Sequence, residues 1–215
     1  MHAQLASLPP LSSALLQPET TDHPARRCRV GHVALQEAAL DEFNALLARL
    51  HHVPLLGDQI ATAARELARQ PVSDHRAPAI AQRMRLAHTV TQMLADPEWQ
   101  PAADAVEPAR LVVDYARRPH QLIPDNLPVI GGLDKAVVVD AAWPQLAGEV
   151  DCYLDYRRLR VIEAQLRHCR VFEFHFGRQE WLAARAAEAA LIGHCRRVGS
   201  SSYLPGGAAA MFRVS

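Results

Sequence analysis

Asp125 and Asp134 are the acidic side chains whose surroundings in the sequence fix them most tightly, one on each side of a segment rich in proline and glycine. Two carboxylates gathered at such a bend could hold a divalent cation through hard oxygen ligands or divide acid and base work between them. His51, His52 and His120 fall at the ends of expected helices beside similar turns. If those turns meet, their imidazoles could join Asp125 around zinc or iron. A structural role accounts for the same residues. Asp125 can satisfy amides freed by prolines, Asp134 can cap the helix that follows, and histidines at helix C-termini answer terminal carbonyls. Lys135, adjacent to Asp134, would repel a metal and is placed to pair with Asp125. The reading therefore assigns no metal, no cofactor and no catalytic residue. Asp125, Asp134, His51, His52 and His120 are kept only as candidate ligands.

Other chemistry finds little footing. The chain has no Gly-x-Ser-x-Gly turn, no Gly-x-x-x-x-Gly-Lys loop and no Gly-x-Gly-x-x-Gly turn, so the usual hydrolase, nucleotidase and dehydrogenase signatures are missing. Cys28, Cys152, Cys169 and Cys195 are widely spaced, which signals neither a zinc ribbon nor a redox dithiol. His168, Cys169 and His175, with His194 and Cys195, lack compact ligand spacing and read as packing and surface residues. Arg157, Arg158, Arg160, Arg167 and Arg170 form a basic stripe, but Asp151, Asp155, Glu163 and Glu173 are interleaved with it as in a solvated helix face. Formal net charge is zero and aromatic residues make up 6% of the chain, so no nucleic-acid partner is expected.

The element that must position the two aspartates is the stretch Tyr115–Lys135. Pro119, Pro124 and Pro128 forbid a continuous helix, because each lacks a backbone donor and biases its predecessor toward extended geometry. Leu122, Ile123, Leu127, Val129 and Ile130 lie between and after them, so the elbow is expected to be buried. Gly131 and Gly132 can take positive φ, and a helix should begin near Lys135.

At these residues the chain resembles the YkvA-like family, a bacterial domain of unknown function. Tyr115, Pro119, Leu122, Ile123, Pro124, Asp125, Pro128, Gly131 and Asp134 match its pattern in register, over about residues 110–147. Gln121 and Lys135 stand where that pattern usually has Asp. The resemblance implies a helical hairpin, often near membranes, and no established reaction.

The rest of the chain reads as mainly helical. Residues 1–30 are expected to form a flexible leader, 31–198 a single helical domain and 199–215 a flexible tail. Apolar residues at helical spacing predict helices over 33–50, 58–69, 79–94, 107–117 and 179–197. A further pair of helices over 135–142 and 146–170 is expected to be separated by a kink or restart at Pro144. Val53–Asp58 echoes the elbow, with Pro to stop a helix, Gly to turn and Asp to cap the next. The alternation in Val171–Phe176 predicts a short strand or an extended bend before Gly177, with Met211–Val214 as the candidate partner strand of a two-stranded element near the C-terminus.

The fold expected is an all-α, multi-helix bundle built around a proline- and glycine-rich helix–elbow–helix. The function expected is a non-catalytic adaptor or regulatory protein in the cytoplasm that contacts an unidentified protein partner and reaches the inner membrane face peripherally. The alternative is a metal-dependent enzyme using Asp125 and Asp134 with the nearby histidines.

Overall fold

A computed structural model describes residues 8–16, 28–70, 76–118 and 121–200, the side chains of the last two excepted. The architecture is mainly α. A short hairpin, β1 (Arg29–Val30) and β2 (Val33–Ala34), precedes six helices: α1 (Glu37–Arg49), α2 (Gly57–Ala68), α3 (Pro78–Ala95), α4 (Ala103–Arg117), α5 (Leu133–Leu166) and α6 (Arg178–Ser200). The hairpin is antiparallel, with Arg29 opposite Ala34 and Val30 opposite Val33, and Gly31 supplies the positive φ of its turn. The chain divides into two compact units, residues 1–157 and 158–215.

In the first unit the apolar stripes meet around the N-terminal half of α5. Leu133, Ala136, Val137, Val138, Val139, Ala142, Leu146 and Val150 are all buried, and only Pro144, Gln145 and Gly148 of this stretch are exposed. Phe43, Leu46 and Leu47 come from α1, Ile60, Ala64 and Leu67 from α2, Ile80, Val90 and Met93 from α3, and Leu111, Val112 and Tyr115 from α4. The expected restart at Pro144 does not occur; α5 runs through it as one helix. An interior proline costs about 3 kcal/mol, and burial of Val138, Trp143 and Leu146 on either side offsets a loss of that size.

The α1–α2 joint uses different residues from those anticipated. His51, at φ 58°, takes the left-handed position after α1, and Asn44 grips the connecting strand by bonding both the amide and the carbonyl of Leu55 at 2.9 and 3.0 Å. Gly57 lies inside α2, and Gln59, rather than Asp58, accepts from the Leu56 amide at 2.8 Å. A Cβ at Gly57 would stand 3.3 Å from the sulfur of Cys28, a tight contact to which that side chain would have to yield.

Residues 8–16, part of the expected leader, are packed. Leu11 and Ser12 are buried, Ser12 donates to Glu66 and caps a 3-10 turn at Ser13–Leu15, and the Pro9 carbonyl accepts from Arg83.

The second unit, by itself, comprises the end of α5, a turn-rich loop and α6. Val171–Phe176 forms no strand. His168 takes φ 53°, the Cys169 amide returns to the Ala164 carbonyl, the Glu173 and Phe174 amides bond three residues back, and Arg160 donates to the Phe174 carbonyl. Local bonds thus satisfy the backbone that a strand would have offered to a neighbour. Its supposed partner, Met211–Val214, lies outside the described residues. So do Pro119 and His120 of the elbow.

Candidate functional site: the elbow and its cleft

Tyr115, two residues from the end of α4, and Asp134, in the first turn of α5, are brought together by the elbow between those helices. The Tyr115 hydroxyl donates to Asp134 Oδ2 at 2.8 Å, and the Ile123 amide donates to the same oxygen at 3.1 Å. Asp134 is only 1% exposed. Burial pushes its carboxyl above the usual carboxylate range, opposed by the Tyr115 and Ile123 bonds and by the Lys135 amide and charge. Burial and the adjacent carboxylate also drive the Tyr115 phenol far up, so it remains a neutral donor. Asp134 is therefore a buried clasp between α4, the elbow and α5, beyond the simple helix cap anticipated.

The elbow backbone is a series of tight turns. Leu127 bonds back to Pro124, Gly131 to Leu127 and Leu133 to Ile130. The Ile130 amide reaches the Pro128 carbonyl at 2.8 Å with Val129 between them at φ 69°. That is a γ-turn of the rare, strained hand, centred on a β-branched residue. The Val129 carbonyl accepts from the Ala77 amide at 2.9 Å, which ties the turn to the start of α3. Gly132 takes the positive φ expected of it, 82°, but Gly131 does not. Gly131 is required by crowding instead, since a Cβ would lie 2.3 Å from the Asp125 carbonyl oxygen and 2.7 Å from that of Leu127.

Asp125 has other partners. Lys135 Nζ meets its Oδ2 at 2.5 Å and Arg76 Nη2 approaches Oδ1 at 3.9 Å. Its side chain is 42% exposed. The pairing with Lys135 anticipated from the sequence is present. The two aspartates thus do not converge on a common point: one faces two cations and the other faces a phenol and an amide. His51 is exposed at the end of α1, and His52 turns Nδ1 onto the carbonyl of its neighbour Val53 at 2.7 Å. Among the described residues no three His, Cys, Asp or Glu side chains are grouped to hold a metal ion.

Beside the elbow, a cleft of about 490 Å³ opens between α1 and the end of α4. Phe43, Tyr115 and Leu122, all buried, contribute to its lining. Glu42, Arg118 and Gln121 supply its polar groups. The Phe43 and Tyr115 rings are 5.7 Å apart, and the Arg118 guanidinium lies 5.9 Å from the Tyr115 centroid. Because the Tyr115 hydroxyl donates to Asp134, the cleft holds a cation beside a largely buried aromatic floor rather than a reactive hydroxyl.

One polar cluster escaped the sequence reading. Arg83 is wholly buried, with Nε and Nη2 on Asp140 at 2.8 and 3.1 Å, Nη1 on the Ala79 carbonyl at 3.3 Å, and Nη2 also on the Pro9 carbonyl. Burial raises the Asp140 carboxyl, while Arg83, and then the nearby His52, oppose that shift. A signal existed: Arg83 sits at helical spacing between Ile80 and Ala87, and Asp140 ends an apolar run. A second polar tie joins the Trp99 indole to Glu149 at 2.9 Å, within an aromatic group containing Tyr153 and Tyr156.

Among the described residues no helix is long and apolar enough to cross a membrane. No protein-family model, curated protein or solved structure matches this chain.

Proposed function

We propose that this protein is a non-catalytic helical adaptor or regulatory protein, a member of the YkvA-like family by its elbow motif, and that a protein partner docks in the cleft beside the elbow. The observation that carries this reading is that the elbow's polar groups pair with one another, Tyr115 with Asp134 and Lys135 with Asp125, while the adjoining cleft is lined by Phe43, Tyr115 and Arg118. An apolar or aromatic side chain entering such a cleft buries its surface against Phe43 and Tyr115, with Arg118 and Glu42 left to orient its polar neighbours. The metal-enzyme alternative lacks comparable support, because Lys135 and Arg76 occupy the approach to Asp125. The proposal places the protein in the cytoplasm, with contact at the inner membrane face read from the fraction in which the partner is found.

The test is affinity purification of tagged wild-type protein and an Ala39→Arg variant from the native cells, keeping soluble and membrane fractions apart and measuring metal as well as protein. Ala39 lines the cleft, so a long cation there should obstruct it. A stoichiometric partner that is lost with Ala39→Arg, at unchanged melting temperature, is the expected result. Near-stoichiometric metal without a partner overturns the proposal.

A further inference from the structure

The N-terminal segment 8–16 is held as a bound peptide is held: we propose that the groove it fills, bounded by α2 and α3, is a peptide-recognition site and that this segment is its built-in, exchangeable occupant. Of the segment's residues only Leu11 and Ser12 are buried. Each residue of Pro9-Pro10-Leu11-Ser12 has a task. The Pro9 carbonyl accepts from Nη2 of Arg83 on α3. Pro10 biases Pro9 toward extended geometry, which presents that carbonyl at little entropic cost, and neither proline brings an amide that would need a partner. Leu11, 5% exposed, is the apolar anchor. The Ser12 hydroxyl donates to Glu66 on α2 while its oxygen accepts from the Ala14 amide at 3.1 Å, so one side chain both ties the segment down and starts its 3-10 turn.

The groove does not depend on its occupant for its shape. Arg83 is fixed from the protein side, by Asp140 through Nε and Nη2 and by the Ala79 carbonyl through Nη1. A guanidinium so held is a preorganised donor for a peptide carbonyl. Eleven residues separate Leu16 from Cys28, so the segment can leave while the hairpin stays. A partner's segment of the same chemistry, two prolines followed by a leucine and a hydroxyl residue, then takes its place. This groove shares no residue with the lining of the cleft beside the elbow, so occupation of one is measured without the other.

The probe is a fluorescent peptide with the sequence of residues 8–16, and the receptor is the full chain carrying Leu11→Asp and Ser12→Ala, which should release the segment. Anisotropy is followed up to about 1 mM chain, the effective concentration that a short tether gives the segment in cis. The released chain should bind the peptide, and wild type should bind it at least about tenfold more weakly because its own segment competes. Adding Arg83→Met, which removes the donor to the Pro9 carbonyl, should weaken binding about tenfold, and a peptide with Leu11→Asp should not bind. A released chain that keeps its circular dichroism yet ignores the peptide, or a wild type that binds it equally well, overturns the proposal. Hydrogen exchange on wild type adds a measurement that needs no variant to fold. The Ala14 and Leu16 amides should exchange through an opening insensitive to low urea, whereas those of α3 and α5 should need one that urea promotes. One urea-promoted opening shared by the segment and these helices would make the segment part of the core and rule out its exchange.

Discussion

Asp134 shows how a residue can be recognised in a sequence and still be assigned an incomplete task. Its place before Lys135 suggested a helix cap, a local role that needs nothing beyond the next turn. Its main partner is Tyr115, nineteen positions earlier, and only the folded elbow brings the two together. Tyr115→Phe leaves Asp134 Oδ2 with one donor fewer and should lower unfolding free energy in urea by about 1–3 kcal/mol. Asp134→Asn keeps an acceptor for both donors and removes a charge that burial disfavours. The folded carboxyl of Asp134 is raised above its ordinary value of 3.8, so the folded state holds its proton to higher pH than the unfolded state. Its contribution to stability is therefore fully present below that ordinary value and is lost as pH rises through the folded pKa. Compared with wild type, Asp134→Asn should lack this loss, and the difference between their urea midpoints should move in favour of the variant as pH rises from about 4. A difference independent of pH would mean that the donors around Asp134 cancel the effect of burial.

At the scale of elements, proline and glycine placement made the elbow legible, and apolar periodicity made the helices legible to within a few residues. The misses have physical causes. Pro144 was read by its local propensity, but it is itself exposed, and its neighbours Trp143 and Leu146 are buried in the first unit. Val171–Phe176 alternates like a strand, yet its amides and carbonyls are answered by nearby turns and Arg160. Within the elbow, the left-handed residue beside Pro128 is Val129, which no propensity would nominate. Val129→Gly should relieve about 1–3 kcal/mol of backbone strain against an entropic cost of about 0.5–1 kcal/mol, for a net gain of up to about 2 kcal/mol. Gly131→Ala should act in the opposite direction. Its Cβ would collide with two backbone oxygens that cannot rotate away, which should cost about 2–4 kcal/mol. Thermal melts of the two variants, run side by side, check both signs. If both substitutions destabilise equally, the elbow is held by its side-chain packing and Val129 stores no strain that matters.

Across the first unit, a bundle built mostly from apolar stripes is fastened by a fully buried cation. Arg83 links α3 to Asp140 of α5 and, through the Pro9 carbonyl, to the segment that precedes the hairpin. Composition could not reveal this, because a formally neutral chain gives no sign of which charges are buried. The two partners are unequally protected: Arg83 has no exposed side-chain surface, whereas Asp140 retains 28%. Breaking a buried pair costs most when the charge left behind cannot reach water. Asp140→Asn strands the guanidinium inside the bundle and should cost about 3–5 kcal/mol. Arg83→Met fills much of the same volume and leaves a carboxylate that solvent can reach, so its loss should be smaller. Removing residues 1–16 deprives Arg83 of the Pro9 carbonyl and Glu66 of Ser12. That truncation should therefore weaken the wild-type bundle more than it weakens the Arg83→Met bundle. A double-mutant cycle on truncation and Arg83→Met, followed by urea unfolding, measures the difference. Coupling near 1 kcal/mol or more would show that the N-terminal segment is bound through Arg83, and additivity would assign its attachment to Leu11 and Ser12 instead.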